Sequence, residues 1–315
     1  MSVGGLHVVF GTGQVGGPLA RGLAASGAEV RAVSRHRPPG LAPGVDWRGA
    51  DAGDPEAAAD AAKGAAVIYQ CLNAPYTDWP ERFPPLQEGV LHAAERAGAV
   101  LVSLENLYGY GATDGKPMTE DHPLVATSPK GRTRASMARQ LLEAGEAGRV
   151  PIVIGRASDF FGAGVTTSAL GEQVFGKALA GKRATVIGHP DQPHTYSYVP
   201  DMVAGLITLG TDDRAIGQVW HLPGPETVTT RALVELIGRQ VGRPLGLRSV
   251  PKMILRAVGL VSPMMRGLAE MAYQFEAPFV LDTTKFQSTF GGSTTSLASA
   301  VAETVAWYSS RPGHS

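Results

Sequence analysis

The chain has 315 residues, 43% of them hydrophobic, with 28 Lys and Arg balanced by 28 Asp and Glu. A net charge of zero provides no field to hold the protein on a polyanion, which argues against general nucleic-acid binding, and the length allows one large domain or two intimate ones. One cysteine, Cys71, excludes an intrachain disulfide and a cysteine-built zinc site, and no apolar run approaches the roughly 18 residues of a membrane span.

The predicted elements begin with a strand, LHVVF at 6–10, followed by the turn GTGQVGG. PLARGLAASG then predicts a helix closing at Gly27, with Pro18 suited to its first turn, and EVRAVSR a second strand. The alternation continues through helix DPEAAADAAKG, strand AAVIYQCL, helix PLQEGVLHAAERAG and strand VLVSL. Helix SPKGRTRASMARQLLEAG and strand VPIVIGRAS complete it. Strands that alternate with helices in this way predict an α/β fold, a Rossmann-type doubly wound parallel sheet. Cys71, inside one of the apolar strands, reads as a buried small residue.

Gly11, Gly13 and Gly16 stand between a predicted strand and a predicted helix. Glycines there let the backbone approach a pyrophosphate, whose charge is received by the amides of Gln14, Val15 and Gly16 at the helix start. At the end of the second strand, SRHR replaces the acidic residue that would bind a ribose 2′-hydroxyl. Ser34, Arg35 and Arg37 suit a 2′-phosphate instead, so NADP(H) is favoured over NAD(H).

With FGTGQVGG, GADAGD, VSLENLYGYG, GRASDFFGAG, HTYSYVPDMVAGL and LDTTKFQSTFG in this order, the chain resembles the extended short-chain dehydrogenase/reductases, also called NAD-dependent epimerase/dehydratases. The resemblance implies an NADP-binding Rossmann domain from 1–164 plus about 195–222, and a smaller C-terminal α/β substrate domain from 165–194 and 223–315. It places Asp51 and Ala52 at adenine-contacting positions. It also implies a Tyr-x-x-x-Lys pair, and here that pair lines up with Lys130 and Arg134. The position of the substrate-binding Ser or Thr lines up with Leu104, so all three catalytic positions depart from the family pattern.

Lys130, whose unperturbed acidity is close to that of tyrosine, is expected to replace the proton donor, and Arg134 to keep the ribose contact. Their spacing puts both on one helix face, while Arg132 and Arg139 are expected to face water. Glu105, Asn106 and Tyr108 lie beside the lost hydroxyl position and are candidates to orient substrate or move a second proton. Tyr76, in the segment that lies beside the nicotinamide in such folds, is a further proton-donor candidate with Tyr108.

In the second half, Arg156, Ser158 and Phe160 are candidates for the pocket wall, together with Asp159, and His194 and Tyr196 for substrate contact. Asp201 reads as structural, in an N-cap position. The histidines bring no cluster of further ligands, so no metal is expected. MILRAVGLVSPMMRGLAEMAYQF reads as a helix pair packed on the sheet domain, or as a deformable apolar lid. Few cations besides Lys182 and Arg183 lie near the expected substrate loops, which disfavours a diphosphate-bearing sugar.

The expected function is an NADP-dependent oxidoreductase that transfers a hydride to or from a small or medium carbonyl or alcohol substrate. The alternatives are a redox-neutral epimerase or dehydratase and a non-catalytic NADP-binding regulatory or scaffold protein. The expected partners are a small molecule and a second copy in a homodimer, with no membrane and no nucleic acid. The sequence start lacks a signal-peptide pattern, and a cytoplasmic location is expected.

Overall fold

A computed structural model of the protein describes residues 5–311. The chain divides into two compact units. The first holds the chain up to Gly109 together with Leu124–Arg156 and Met202–Leu222. The second holds Tyr110–Pro123, Ala157–Asp201 and the chain from Pro223 onward. These bounds differ from the expected ones: 110–123, 157–164 and 195–201 lie with the second unit.

The first unit is built on β1 (Leu6–Phe10), α1 (Gly16–Ala25), β2 (Glu29–Ser34), β3 (Val45–Gly49), α2 (Pro55–Ala61) and β4 (Ala65–Gln70). It continues through α3 (Trp79–Ala97), β5 (Val100–Glu105), α4 (Pro129–Glu146) and β6 (Ile152–Arg156). With the strand Gln218–His221 it forms a seven-stranded sheet in the order β3-β2-β1-β4-β5-β6 and then 218–221. Every pairing is parallel. Strands covered on both faces must be apolar throughout, and Val8, Phe10, Ile68, Leu101 and Ile154 are fully buried against Val90 and Leu141 from the helices. The strand order reverses between β1 and β4, and in such sheets the crevice at the carboxyl ends of the strands at this point is where ligands bind.

The sequence expectation placed the start of α3 at Pro85, but the helix begins at Trp79 and contains Pro84 and Pro85. Prolines remove helical hydrogen bonds and disfavour a helix interior. Here the upstream turn is held by packing: Trp79 and Phe83, one turn apart, are buried with Ala74 and Met137, their rings 5.3 Å apart. Edge strand β3 was not expected, because its only fully buried residue is Val45 and an apolar alternation is missing.

The second unit has its own core, in which Phe161, Phe175, Tyr196, Tyr198, Leu233, Ile237 and Val301 are buried. Short strand pairs brace it: Ala184–Ile187 with Leu247–Val250, Ser197–Tyr198 with Phe160–Phe161, and Val228–Thr229 with Pro193–His194. The methionine-rich segment forms two helices, Lys252–Gly259 and Pro263–Met271.

Truncating a buried aromatic costs about 3–5 kcal/mol. Phe83→Ala is expected to lower the free energy of unfolding by about 3 kcal/mol in a denaturant titration. If α3 instead began at Pro85, Phe83 would lie in a loop and the change would be small.

Candidate active site

The glycine turn lies at the point where the sheet order reverses. Gly11 follows β1 with φ of +92°, and a Cβ on it would stand 2.6 Å from the carbonyl oxygen of Cys71, just past β4. A Cβ on Gly16 would stand 1.9 Å from the Gly11 oxygen. Both glycines are therefore required by backbone packing. Gly13 differs, since a Cβ there would meet nothing within 4 Å. Helix α1 starts after Val15 with no side-chain cap and no acidic residue in its first turn, and Gln14 is half-buried. An open approach over Gly13 and an uncapped helix start fit a pyrophosphate. Desolvation pushes the Cys71 thiol up to about 12 even though the residue is only half-buried, so it is not a nucleophile.

At the end of β2, Ser34 is engaged: its hydroxyl donates to the His36 carbonyl at 2.8 Å and accepts from Trp47 Nε1 at 3.1 Å. Arg35 and Arg37 are exposed. Asp51 accepts from the Gly53 amide at 2.9 Å and Ala52 is buried.

Helix α4 carries the basic run. Ser128 caps it by accepting from the Gly131 amide at 3.1 Å, and Pro129 fills its first position. Its first turn lies directly on the Tyr108–Gly109 turn, because a Cβ on Gly131 would come within 2.8 Å of the Tyr108 oxygen and one on Gly109 within 3.3 Å of the Ala135 amide. That close approach buries Lys130 and Arg134, at 5% and 2% exposure. Arg132 and Arg139, on the outer face, are exposed, with Arg139 donating to the Leu124 carbonyl at 2.6 Å.

Arg134 and Arg156 converge on one carboxylate. Arg134 Nη2 lies 3.5 Å from Glu105 Oε1 and Arg156 Nε 3.7 Å from Oε2. Glu105 and Arg156 are direct partners in the β5–β6 register, so the sheet itself brings them together. All three are buried. Burial holds the Arg134 guanidinium below the usual arginine range, opposed by Glu105 and reinforced by Arg156. Its Nε has no hydrogen-bond partner, and neither has Glu105 Oε1.

Aromatic rings cover these cations. Lys130 Nζ stands 4.5 Å from the centre of the Tyr76 ring and the Arg134 guanidinium 4.6 Å from that of Phe83. Trp79 touches all the rings of this wall, 5.5 Å from Tyr76, 5.3 Å from Phe83 and 5.6 Å from Tyr108. Sequence reasoning missed Trp79, Phe83 and Met137, whose sulfur accepts from Arg134 at 3.7 Å. The helical spacing of 79 and 83 was the available signal, and Pro84 and Pro85 masked it. Asn106, a candidate for substrate orientation, has its Oδ1 accepting from the Tyr108 amide at 3.0 Å; it shapes the turn.

The other candidates belong to the second unit. His194 Nε2 and Asp159 Oδ2 are 3.0 Å apart, and the imidazole stacks on Phe275 at 4.7 Å and on Phe279 at 5.2 Å, with Tyr196 tilted against it at 4.6 Å. The Tyr196 hydroxyl pairs with Thr230 at 2.7 Å, and burial raises its pKa, which makes it a poor proton donor at neutral pH. The Ser158 amide donates to Ser197 Oγ at 3.0 Å, and Phe160 is half-buried. Asp201 accepts from the Thr295 hydroxyl at 2.7 Å, a structural tie.

The sequence matches the NAD dependent epimerase/dehydratase family over residues 8–222. The chain belongs to this family. It is 27% identical over 263 residues to a dTDP-6-deoxy-L-talose 4-dehydrogenase (NAD(P)(+)) of Kitasatospora kifunensis, covering 78% of this chain and 81% of the relative. It is 26% identical over 221 residues to a dTDP-glucose 4,6-dehydratase of Streptomyces griseus, covering 70% and 62%. An uncharacterized protein, y4nL, of Sinorhizobium fredii is 24% identical over 163 residues, which span half of this chain and 45% of that relative. Among solved structures, a dTDP-glucose 4,6-dehydratase from Streptomyces venezuelae with NAD bound superposes with a TM-score of 0.80 at 19% identity, covering 98% of each chain. A UDP-glucuronic acid 4-epimerase from Bacillus cereus, also in complex with NAD, gives 0.76 at 18% identity, covering 98% of this chain and 100% of the other. At these identities the likeness is one of fold.

Removing the carboxylate from a buried charge cluster costs about 3–5 kcal/mol, because uncompensated cations remain. Glu105→Gln is expected to destabilise the protein by about 3 kcal/mol, whereas the exposed Arg132→Ala should stay within about 0.5 kcal/mol. Parallel urea titrations compare the two.

Proposed function

We propose that the protein is a nicotinamide-dependent enzyme of the redox-neutral kind, an epimerase or dehydratase acting on a hydroxyl- or keto-bearing substrate, with NADP(H) favoured over NAD(H). The observation that carries this reading is the buried assembly of Lys130, Arg134 and Glu105 at the carboxyl end of β5. Net oxidation of an alcohol, and epimerisation by hydride removal and return at one carbon, need one proton carrier, whereas dehydration beside a retained cofactor also needs a base for a proton on carbon. Lys130 supplies the acid and Glu105 the base. The family and the dTDP-glucose 4,6-dehydratase relative support the same choice, while the dTDP-6-deoxy-L-talose 4-dehydrogenase relative carries out a net oxidation.

The backbone at Gly11, Gly13, Gln14, Val15 and Gly16 would hold the pyrophosphate, Arg35 and Arg37 the 2′-phosphate, Asp51 and Ala52 the adenine. Arg134, with its unpartnered Nε, would donate to a ribose hydroxyl. A bound nicotinamide ring supplies reversible hydride exchange with a substrate carbon. Lys130 gives a proton to the substrate oxygen and takes it back, held against Tyr76 so that its ammonium stays aimed. In a dehydration, Glu105 would take the proton from the carbon next to the carbonyl and pass it to the departing hydroxyl, which leaves as water as the carbon–carbon double bond forms. The aromatic wall of Tyr76, Trp79, Phe83 and Tyr108 keeps bulk water from these groups, which strengthens each electrostatic contact.

Fluorescence titration with NADPH and NADH tests the cofactor assignment. Arg35→Ala is expected to weaken NADPH at least about tenfold, the equivalent of one charge-assisted contact, and to leave NADH unchanged. Gly13→Val, which fills the open approach, is expected to abolish both without unfolding the protein.

The chemistry is tested by incubation with dTDP-glucose and other dTDP- and UDP-sugars plus NAD⁺ or NADP⁺, followed by chromatography and absorbance at 340 nm. Turnover with no accumulated reduced cofactor, lowered about 10²–10⁴-fold in Lys130→Ala, is the expected result. Stoichiometric reduced cofactor would return the reading to a net oxidoreductase. Cofactor binding with no turnover of any of these sugars would exclude them as substrates and favour the non-catalytic alternative.

A further inference from the structure

Large exposed apolar side chains are concentrated in one place on the second unit. Among the described residues, Met253, Ile254, Val258, Leu260, Val261 and Met264 are all exposed, Leu260 and Val261 at 85% and 87%. They occupy the helix Lys252–Gly259, the turn after it and the start of the helix Pro263–Met271. The hairpin is anchored from its other side, where Leu255 is buried with Ala269 and Ala272 and packed by Val250, Met265 and Leu268. Gly259 lets the two helices meet, since a Cβ there would stand 2.9 Å from Arg266 Cα. At 100° per residue, Leu255 and Gly259 turn toward the anchored side and Met253, Ile254 and Val258 away from it. A helix on a protein surface ordinarily presents charge outward. This one presents methionine, isoleucine and valine.

The charge on the hairpin is mainly positive. From Lys252 to Met271 the sequence contains Lys252, Arg256 and Arg266 against the single acid Glu270, with Arg248 just before it, in a chain whose totals are 28 and 28. Arg248, Arg256 and Arg266 are exposed. We propose that this hairpin is a docking surface for an anionic lipid bilayer. Its apolar tip enters the boundary between headgroups and acyl chains, while the flanking cations meet lipid phosphates. A second copy of the chain fits less well, because a two-fold contact through this face would bring two mainly positive surfaces together. Among the described residues no helix is long and apolar enough to cross a membrane, so attachment is to one leaflet. The expectation of no membrane partner rested on that missing span, which does not bear on surface attachment.

Co-sedimentation of the full-length protein with vesicles tests this, comparing phosphatidylcholine alone with phosphatidylcholine mixed with phosphatidylglycerol. Binding to the anionic vesicles that weakens as salt is raised is expected. The double variant Leu260→Asp, Val261→Asp is expected to lose it. Arg256→Ala is expected to lower partitioning about fivefold, the contribution of one cation near an anionic surface. Every replaced side chain is exposed, and thermal unfolding with gel filtration verifies that the variants remain folded. Failure of the protein to bind anionic vesicles, or undiminished binding by the double variant, would overturn the proposal. So would a wild-type dimer that the double variant dissociates in the absence of any lipid binding, since the face would then belong to a second copy.

Discussion

One buried carboxylate ties together the strand ends and the helix of the first unit's candidate site. Glu105 ends β5 in direct register with Arg156 at the end of β6, and it faces Arg134 across from α4. Taking three charges out of water is expensive, and apolar side chains of equal volume would stabilise the fold as well or better. The cluster is therefore poorly explained by stability. Its effect is positional: a strand end, a neighbouring strand end and a helix are tied to one point. Gly109 and Gly131 make this tie geometrically feasible by letting α4 lie on the Tyr108 backbone, and Lys130 is carried into the interior one turn before Arg134.

Two cations stand where the family resemblance implies a neutral tyrosine and a single lysine. The surroundings show how that extra charge is accommodated. The faces of Tyr76 and Phe83 lie against Lys130 and Arg134, and Trp79 holds both rings in place edge-on. An aromatic face is worth about 2 kcal/mol or more to a desolvated cation, a contribution that an aliphatic wall would not make. The two prolines of α3 fall just after this aromatic turn, so the helix tolerates their missing hydrogen bonds where the ring packing is strongest.

Legibility in the sequence followed the range of the forces involved. Strands β1, β4, β5 and β6 are apolar on both faces, so local composition revealed them, and the four-residue spacing of Lys130 and Arg134 correctly put both on one buried face. Strand β3 is held by its register with β2, a long-range pairing that leaves no periodic trace in a half-exposed edge. The start of α3 was hidden because local proline chemistry and tertiary aromatic packing oppose each other there, and packing prevails. Arg156 was a candidate in the sequence, but its pairing with Glu105 depends on strand order. The tie of Asn106 to its own turn was not legible, because a side chain that completes a turn has the same sequence appearance as one that awaits a ligand.

The neutral net charge of the chain illustrates the limit of global composition. Electrostatic influence in physiological salt decays over about 8 Å, so a sum over 315 residues describes nothing that a ligand or surface meets. Locally the molecule is far from neutral: the site holds three buried cations against Glu105, and the apolar hairpin carries Lys252, Arg256 and Arg266 against one acid, Glu270. Both imbalances are coupled to apolar contact, rings in the first case and an exposed aliphatic tip in the second. A cation beside apolar surface is most useful where water is to be displaced, by a substrate in a buried site or by a bilayer at an exposed one. Balanced totals leave these local arrangements entirely open.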